Sequence, residues 1–457
     1  MRLAYSPDEN NPLVHAVCRD GGLPEGVDLA IHADDEMLAF QTAARDGDRD
    51  LALADYFLSG FRIAEAMRQL LGGWFGGLGK VGHVLDFASG YGRVTRFLAG
   101  YLSPARLWVA DIYAEGVRFQ EERFGVRGLA SAADPAEFRP AERFDAVLVT
   151  SLFSHLPEPA FHGWMEALWR LVAPGGLLVF SVHDGSLLSP SGELPPSGIL
   201  FQELSESASL DKREYGTSWV SEAFVRQAVA RVAPRASVQR IAHGLHHFQD
   251  LYVAGNGAGG PAPAAHLPLR GEPLAFVETV RFIGPDRLEA TGWLASAASP
   301  ASPEIADGGE IVAVEALLDG RLVARTTGFG PRPDVDRVRP AAVLAGRSFR
   351  LDVTLPPGVS RSAAILSLRA VDGRGQAWLF AASSLDAALL AGARNEAARA
   401  EAELARARAG HEARLAEAEA RRAGLEARIA SMEASGFWKL RNRWFALKRF
   451  LRLTDER

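Results

Sequence analysis

Asp86, Gly90, Gly92 and Asp111 are the residues whose types and spacing could first do chemistry, and the chemistry they suit is the capture of a nucleoside-bearing ligand. The run Val84-Leu85-Asp86-Phe87-Ala88-Ser89-Gly90-Tyr91-Gly92-Arg93 reads as a buried strand that ends in an acid and turns through glycines into a helix over 93–101. Asp86 can accept from a ligand amine or from nearby backbone amides. Gly90 and Gly92 let the chain pass close beneath a ligand with no Cβ in the way, and the start of the helix offers free amides. A second apolar strand, Leu107-Trp108-Val109-Ala110, ends in Asp111 and Ile112. Asp111 stands roughly twenty residues past the glycines, where a ribose-binding carboxylate is expected. A G-x-G-x-x-G reading that begins at Gly90 fails because the sixth position is Thr95, which argues against a nicotinamide dehydrogenase.

The elements that must position these residues continue downstream. Phe144-Asp145-Ala146-Val147-Leu148-Val149-Thr150 reads as a strand followed by Ser151, and residues 171–176, with their Pro-Gly-Gly, read as a turn into the strand 177–181. This ordered set resembles the class I S-adenosylmethionine-dependent methyltransferases, whose pattern is an acid before a glycine turn, an acid ending strand two and a Pro-Gly-Gly turn before strand five. The resemblance covers about residues 50–255 and departs at Ala88, where the family usually has its first glycine, so the turn must tolerate a methyl group. It implies an α/β fold, a Rossmann-like seven-stranded methyltransferase sheet, with S-adenosyl-L-methionine as cofactor. It also implies a cofactor site built from Asp86, Ala88, Ser89, Gly90, Gly92, Asp111, Ile112 and Ser151, with Tyr56 and Gly60 added from capping helices. For Tyr56, plain packing is an equal alternative.

Methyl transfer is an in-line displacement, so the protein must align an acceptor lone pair with the methyl carbon and exclude water. A hydroxyl acceptor also needs a base. Open α/β sheets place ligands at the carboxyl ends of their strands. This makes His183, after strand five, the first candidate base and His155, after strand four, the second, with a hydrogen bond that holds the loop as the alternative role for each. Residues 199–222 contain Phe201-Gln202-Glu203-Leu204-Ser205-Glu206-Ser207 and Tyr215-Gly216-Thr217-Ser218-Trp219, aromatic and polar groups suited to an acceptor wall. His243, His246 and His247 lack a ligand spacing beyond Asp250, so no metal site is expected.

The 457 residues suggest more than one core, and 48% hydrophobic content is enough to build them. A net charge of -6 gives no global drive toward nucleic acid. Cys18 is the single cysteine, which excludes an internal disulfide framework. No stretch has the length and apolarity of a signal or a membrane span, so a cytoplasmic protein is expected.

Composition divides the chain into a helical N-terminal cap over 1–80, the methyltransferase domain over 81–254 and a Gly/Pro/Ala linker over 255–273. A small all-β, immunoglobulin-like sandwich follows over 274–385, with Asp319-Gly320 and Asp372-Gly373 as hairpin turns. It loosely resembles accessory domains of surface-glycan enzymes. Residues 386–434 read as a long helix of Ala, Glu and Arg. Leu390, Ala397, Leu404, His411, Ala418, Leu425 and Met432 share one heptad position, half a seam for a coiled coil and a homo-oligomer. The tail over 435–457 is basic and amphipathic. Phe437, Leu440, Trp444, Leu447 and Leu451 fall on one stripe of residues 437–453, which reads as a helix lying on a membrane surface, with a partner-binding helix end as the alternative. Together these features predict O-methylation of a saccharide or lipid-linked surface glycan at the inner membrane face. A small-metabolite or protein methyltransferase, or a non-catalytic scaffold that binds the cofactor, are the competing readings.

Overall fold

The computed structural model describes residues 11–451 apart from 189–191, 206, 208, 246–247, 258–266, 268, 271–272, 296–304, 307–309 and 339–345. His246, His247, Glu206, much of the 255–273 segment and the chain after Leu451 therefore lie outside the described residues. Strands β1 (Val84–Phe87), β2 (Leu107–Asp111), β3 (Arg127–Ala130), β4 (Phe144–Val149) and β5 (Val172–Asp184) pair in parallel in the order β3-β2-β1-β4-β5. Strands β8 (Ser237–Leu245) and β9 (Gln249–Gly255) close this sheet, with β9 antiparallel to both β5 and β8. The seven strands form the expected Rossmann-like sheet. A hairpin of β6 (Ile199–Gln202) and β7 (Thr217–Val220) is added at the carboxyl end of β5, where His183 and Asp184 pair with Trp219 and Val220.

Why these segments are strands is visible in their side chains. Along β1, β2, β4 and β5, alternate residues enter two different cores. Val84, Val109, Leu148 and Val179 face one, and Leu85, Ala110, Val149 and Phe180 face the other. Strands buried on both faces must be continuously apolar. Helices α1 (Pro12–Asp20), α3 (Arg49–Phe75), α4 (Thr95–Tyr101) and α5 (Ala114–Phe124) cover the first face, and α6 (Glu158–Trp169) and α7 (Glu222–Val232) the second. Helix α2 (Glu36–Ala44) lies between α1 and α3 in sequence, capped by Asp35, whose Oδ1 accepts from the amides of Met37 and Leu38.

Two expectations need adjustment. Helix α4 begins at Thr95, two residues beyond the expected Arg93, because residues 91–94 remain in the glycine turn. The Pro-Gly-Gly segment is not a separate turn but a bulged part of β5, with Gly175 at φ +80°. There the Gly175 amide donates to Asn256 O at 2.8 Å and Trp74 Nε1 to Gly175 O at 2.9 Å, so the bulge ties the sheet to α3.

Two four-stranded antiparallel sheets follow: Leu274–Phe282, Arg287–Ala295, Arg347–Thr354 and Phe329–Pro331 in one, and Arg321–Thr326, Ile311–Leu318, Ile365–Asp372 and Ala377–Ser384 in the other. Val280, Leu288, Ala290 and Leu351 from the first sheet share a core with Val314, Ala316, Leu366 and Leu368 from the second. Asp319-Gly320 makes a tight hairpin with both residues at positive φ. Asp372 instead opens a longer loop, its Oδ1 accepting from the amides of Arg374 and Gln376. The described residues up to Gly392 form one compact unit. Leu379 and Ala382 join the core containing α1 and α3, Ser367 donates to the Asp20 carboxylate at 2.6 Å, and Arg62 donates to Leu379 O at 2.8 Å.

A helix spans Leu385–Ala434, with Leu385, Ala388 and Gly392 buried in its first turns. A second helix, Gly436–Phe450, is capped by Ser435, which accepts from the Trp438 amide. No helix among the described residues is long and apolar enough to cross a membrane.

Candidate active site

The carboxyl ends of β1, β2 and β4 open into a cavity of about 270 Å³. Asp86, Ala88, Ser89, Gly90, Asp111, Ile112 and Ser151 all line it. The turn beneath is held by the neighbouring strand. The amides of Ala88 and Ser89 donate to Ala110 O at 2.8 and 3.3 Å, and the Gly90 amide donates to Asp111 Oδ2 at 2.7 Å. The other oxygen of Asp111 accepts from the Tyr113 amide at 2.9 Å. Gln120, wholly buried on α5, braces the turn from below by donating to Ser89 Oγ and Gly90 O at 3.0 and 2.9 Å.

The turn carries strain where the sequence departs from the family pattern. Ala88 sits at φ +58°, the left-handed region that favours glycine. Ser151 does the same at φ +63°, held by its amide donating to Ser181 Oγ at 2.8 Å and its hydroxyl donating to Gln249 Oε1 at 3.2 Å. Such conformations persist where surrounding contacts over-determine them, and they gather at functional sites. Gly92 does not line the cavity. At φ +81° its missing Cβ leaves room for Phe124 and Gln120, so its role is to let the turn sit low on α5. Gly60 is also a packing position, because a Cβ there would meet Arg93 O at 2.3 Å.

Electrostatics set the two acids apart. Burial pushes the Asp86 carboxyl up to about 7, against a hydrogen bond from Thr95 Oγ1 at 2.7 Å, with the nearby Asp111 charge raising it further. Burial raises Asp111 as well, opposed by its backbone amides. Arg93 lines the same cavity with its guanidinium donating to Ser59 Oγ at 2.7 Å, and burial lowers its pKa. The lining residues include six carboxylates, Asp35, Glu36, Asp86, Asp111, Asp211 and Glu214, against Arg93 alone.

Neither candidate histidine lines the cavity. His155 has Nδ1 2.7 Å from Gly216 O and stacks on Tyr215 with ring centroids 4.7 Å apart. His183 has Nε2 3.2 Å from Gln249 Nε2, and burial together with the charge of His155 pushes its pKa down to about 4. Both lie behind the wall, where the β6–β7 hairpin runs along β5. Tyr56 is also absent from the lining. It is fully buried and donates to Asp35 Oδ2 at 2.6 Å.

Of the segment over 199–222, Ser207, Leu210, Asp211, Glu214 and Tyr215 reach the cavity. Glu36 links them to the other wall, with its Oε2 accepting from Ser207 Oγ at 2.8 Å and from the Tyr113 hydroxyl at 3.2 Å. Asp35, Glu36, Tyr113 and Gln120 went unread in the sequence. The first two carried a helix-start signal, an Asp cap before an acidic first turn. Nothing local marks Gln120.

Among known proteins, residues 84–176, about a fifth of the chain, match the family model described as "Methyltransferase domain". No curated protein matches. Solved structures similar in part include the DhpI complex with SAH, 21% identical over 50% of this chain and 97% of that one, TM-score 0.32. NodS, an N-methyltransferase from Bradyrhizobium japonicum in complex with SAH, is 16% identical over 49% and 99%, TM-score 0.32. An O-methyltransferase family protein from Burkholderia thailandensis is 16% identical over 48% and 64%, TM-score 0.33. The family match begins at β1 and runs through the glycine turn, Asp111 and β4, the elements that floor the cavity, so residues 84–176 carry a methyltransferase domain similar to that of the S-adenosylmethionine-dependent enzymes.

Proposed function

We propose that the protein methylates a hydroxyl of an uncharged saccharide, presented as a lipid-linked or surface glycan at the inner membrane face. The observation that carries this reading is the acceptor side of the cavity, where Tyr113 and Tyr215 stand among the carboxylates of Glu36, Asp211 and Glu214. Aromatic faces with carboxylate acceptors suit a ring bearing hydroxyls, and the excess of negative charge disfavours an anionic acceptor.

The residues present fit the cofactor. Asp86, buried with a carboxylate at the cavity wall, accepts from its ammonium, and Arg93 offers two-pronged donation to its carboxylate. Asp111 still has lone pairs for ribose hydroxyls after serving two backbone amides. Ile112, 45% exposed at the mouth, offers an apolar cover for the base, and Ser151 bounds the far end. Gly92 and Tyr56 act indirectly, by seating the turn and by fixing Asp35. When bound, S-adenosylmethionine supplies an electrophilic methyl carbon on a sulfonium. Glu36, whose Oε1 accepts no hydrogen bond among the described residues, would take the proton of the acceptor hydroxyl as that methyl group was transferred and the demethylated cofactor left. The two histidines hold the loops behind this wall. Exposed Leu404, Leu415, Leu425 and Ile429 on the long helix offer a seam to a second copy of the chain.

The test is calorimetric titration of S-adenosylmethionine into the wild type and Asp111→Ala, followed by methyl transfer to a neutral glycoside and its uronate. Binding that weakens in the variant by about 1.5–3 kcal/mol, the worth of hydrogen bonds to a charged group, supports the pocket. Transfer to the uronate that matches the neutral glycoside would overturn the acceptor assignment.

A further inference from the structure

The tail helix Gly436–Phe450 carries five cations, Lys439, Arg441, Arg443, Lys448 and Arg449, and no acid. At 100° per residue, Leu447, Leu440, Leu451, Trp444 and Phe437 fall within one sector of about a quarter turn. All five are exposed, from 49% for Leu447 to 76% for Phe437, so this apolar sector has no partner among the described residues of its own unit, 393–451. Arg443 and Lys439 border it on one side, Lys448 and Arg441 on the other.

Of the remaining aromatics, Phe450 lies between Arg443 and Lys439 and the other two are arranged differently. Trp438 and Phe445 lie on the far side of Arg441, whose guanidinium is 4.4 Å from the Trp438 ring centroid and 5.3 Å from that of Phe445. Trp438 is only half exposed. A cation stacked between two rings occupies their faces and keeps them in the polar layer. Trp444 has a looser cation contact, Lys448 Nζ 5.6 Å from its ring centroid, and lies in the apolar sector, whereas Trp438 lies off it under the closer Arg441.

We infer that residues 436–451 bind an anionic lipid surface, with Phe437, Leu440, Trp444, Leu447 and Leu451 at the acyl boundary and the Arg441 stack with Trp438 and Phe445 facing the headgroups and water. Charge complementarity selects this occupant. A sector flanked on both edges by cations, with no acid in the helix, suits phosphates in a plane above a hydrocarbon layer. The inference rests on the membrane-face part of the proposed function and names the class of lipid and the face that meets it.

The experiment is co-sedimentation of the full chain with vesicles of phosphatidylglycerol in phosphatidylcholine, and of phosphatidylcholine alone, alongside tryptophan quenching by lipids brominated along the acyl chain. Five cations near the surface, each worth about 1 kcal/mol, predict binding at least a hundredfold tighter to the anionic vesicles. Leu440→Ser with Leu447→Ser should weaken it about a hundredfold, since two leucines leave the acyl boundary. Phe445→Ser should change it less than threefold. Trp444→Phe should remove most of the brominated-lipid quenching and Trp438→Phe little of it. Equal binding to both vesicles, equal loss in the two surface variants, or self-association without vesicle binding would overturn the inference. None of these outcomes depends on methyl transfer, so loss of this inference leaves the cofactor reading standing.

Discussion

If Asp86 receives the cofactor's ammonium as proposed, cofactor affinity should depend on pH near neutrality. In the free protein its carboxyl is pushed up to about 7, chiefly by burial and in part by Asp111, with Thr95 opposing. A ligand ammonium needs the ionised form. Below pH 7 the free carboxyl must first lose that proton, so affinity falls toward tenfold per unit and about fiftyfold between pH 7 and pH 5, or about 2.3 kcal/mol. Above pH 7 it levels off. Calorimetry over pH 5–7.5, in two buffers of different ionisation enthalpy, should show release of about nine-tenths of a proton at pH 6 and about a quarter at 7.5. The same shift governs stability with the opposite sense from an ordinary ion-paired acid. The folded pKa lies above the unfolded one, so the native state holds more protons between about 4 and 7 and stability declines as pH rises through that range. The full cost, about 4 kcal/mol at most, is present above pH 7. Asp86→Asn retains an oxygen for Thr95 and removes the buried charge. It should therefore be more stable than the wild type at pH 8, nearly equal to it at pH 3.5, and should bind the cofactor weakly with no pH dependence. An affinity that is flat in the wild type, with no proton released, would refute this account of Asp86.

Ala88→Gly should relieve a left-handed residue worth about 1–2 kcal/mol, less roughly 0.4–1 kcal/mol of added unfolded-state entropy, and so raise stability slightly in denaturant melts. A loss above 1 kcal/mol would mean that the methyl group packs against something the turn needs. Glu36→Gln should reduce kcat by about 10²–10⁴ with cofactor affinity unchanged, while His183→Gln should act on thermal stability more than on kcat. The reverse pattern would return the base to His183.

Strand-ending acids, glycine turns and hairpin signals are local, and they were legible in the chain: β1 with Asp86, β2 with Asp111 and the Asp319-Gly320 hairpin could be read from runs of ten residues or fewer. The departure at Ala88 was legible for the same reason, because a turn that needs positive φ strains any side chain placed there. Which side chains face the cavity was decided by contacts between segments far apart in sequence. His155 follows β4 and His183 lies in the end of β5, yet the β6–β7 hairpin lies along β5 and Tyr215 stacks on His155, so the histidines fall behind the wall. Gln120 beneath the glycine turn is fixed by the docking of α5 on β2 and β3. Glu36 meets Ser207 across 171 positions, and Ser367 meets Asp20 across 347. Periodicity and turn chemistry report what a residue does to its own backbone. The partner that a polar side chain finds when buried depends on how whole elements pack, and no local pattern carries that information.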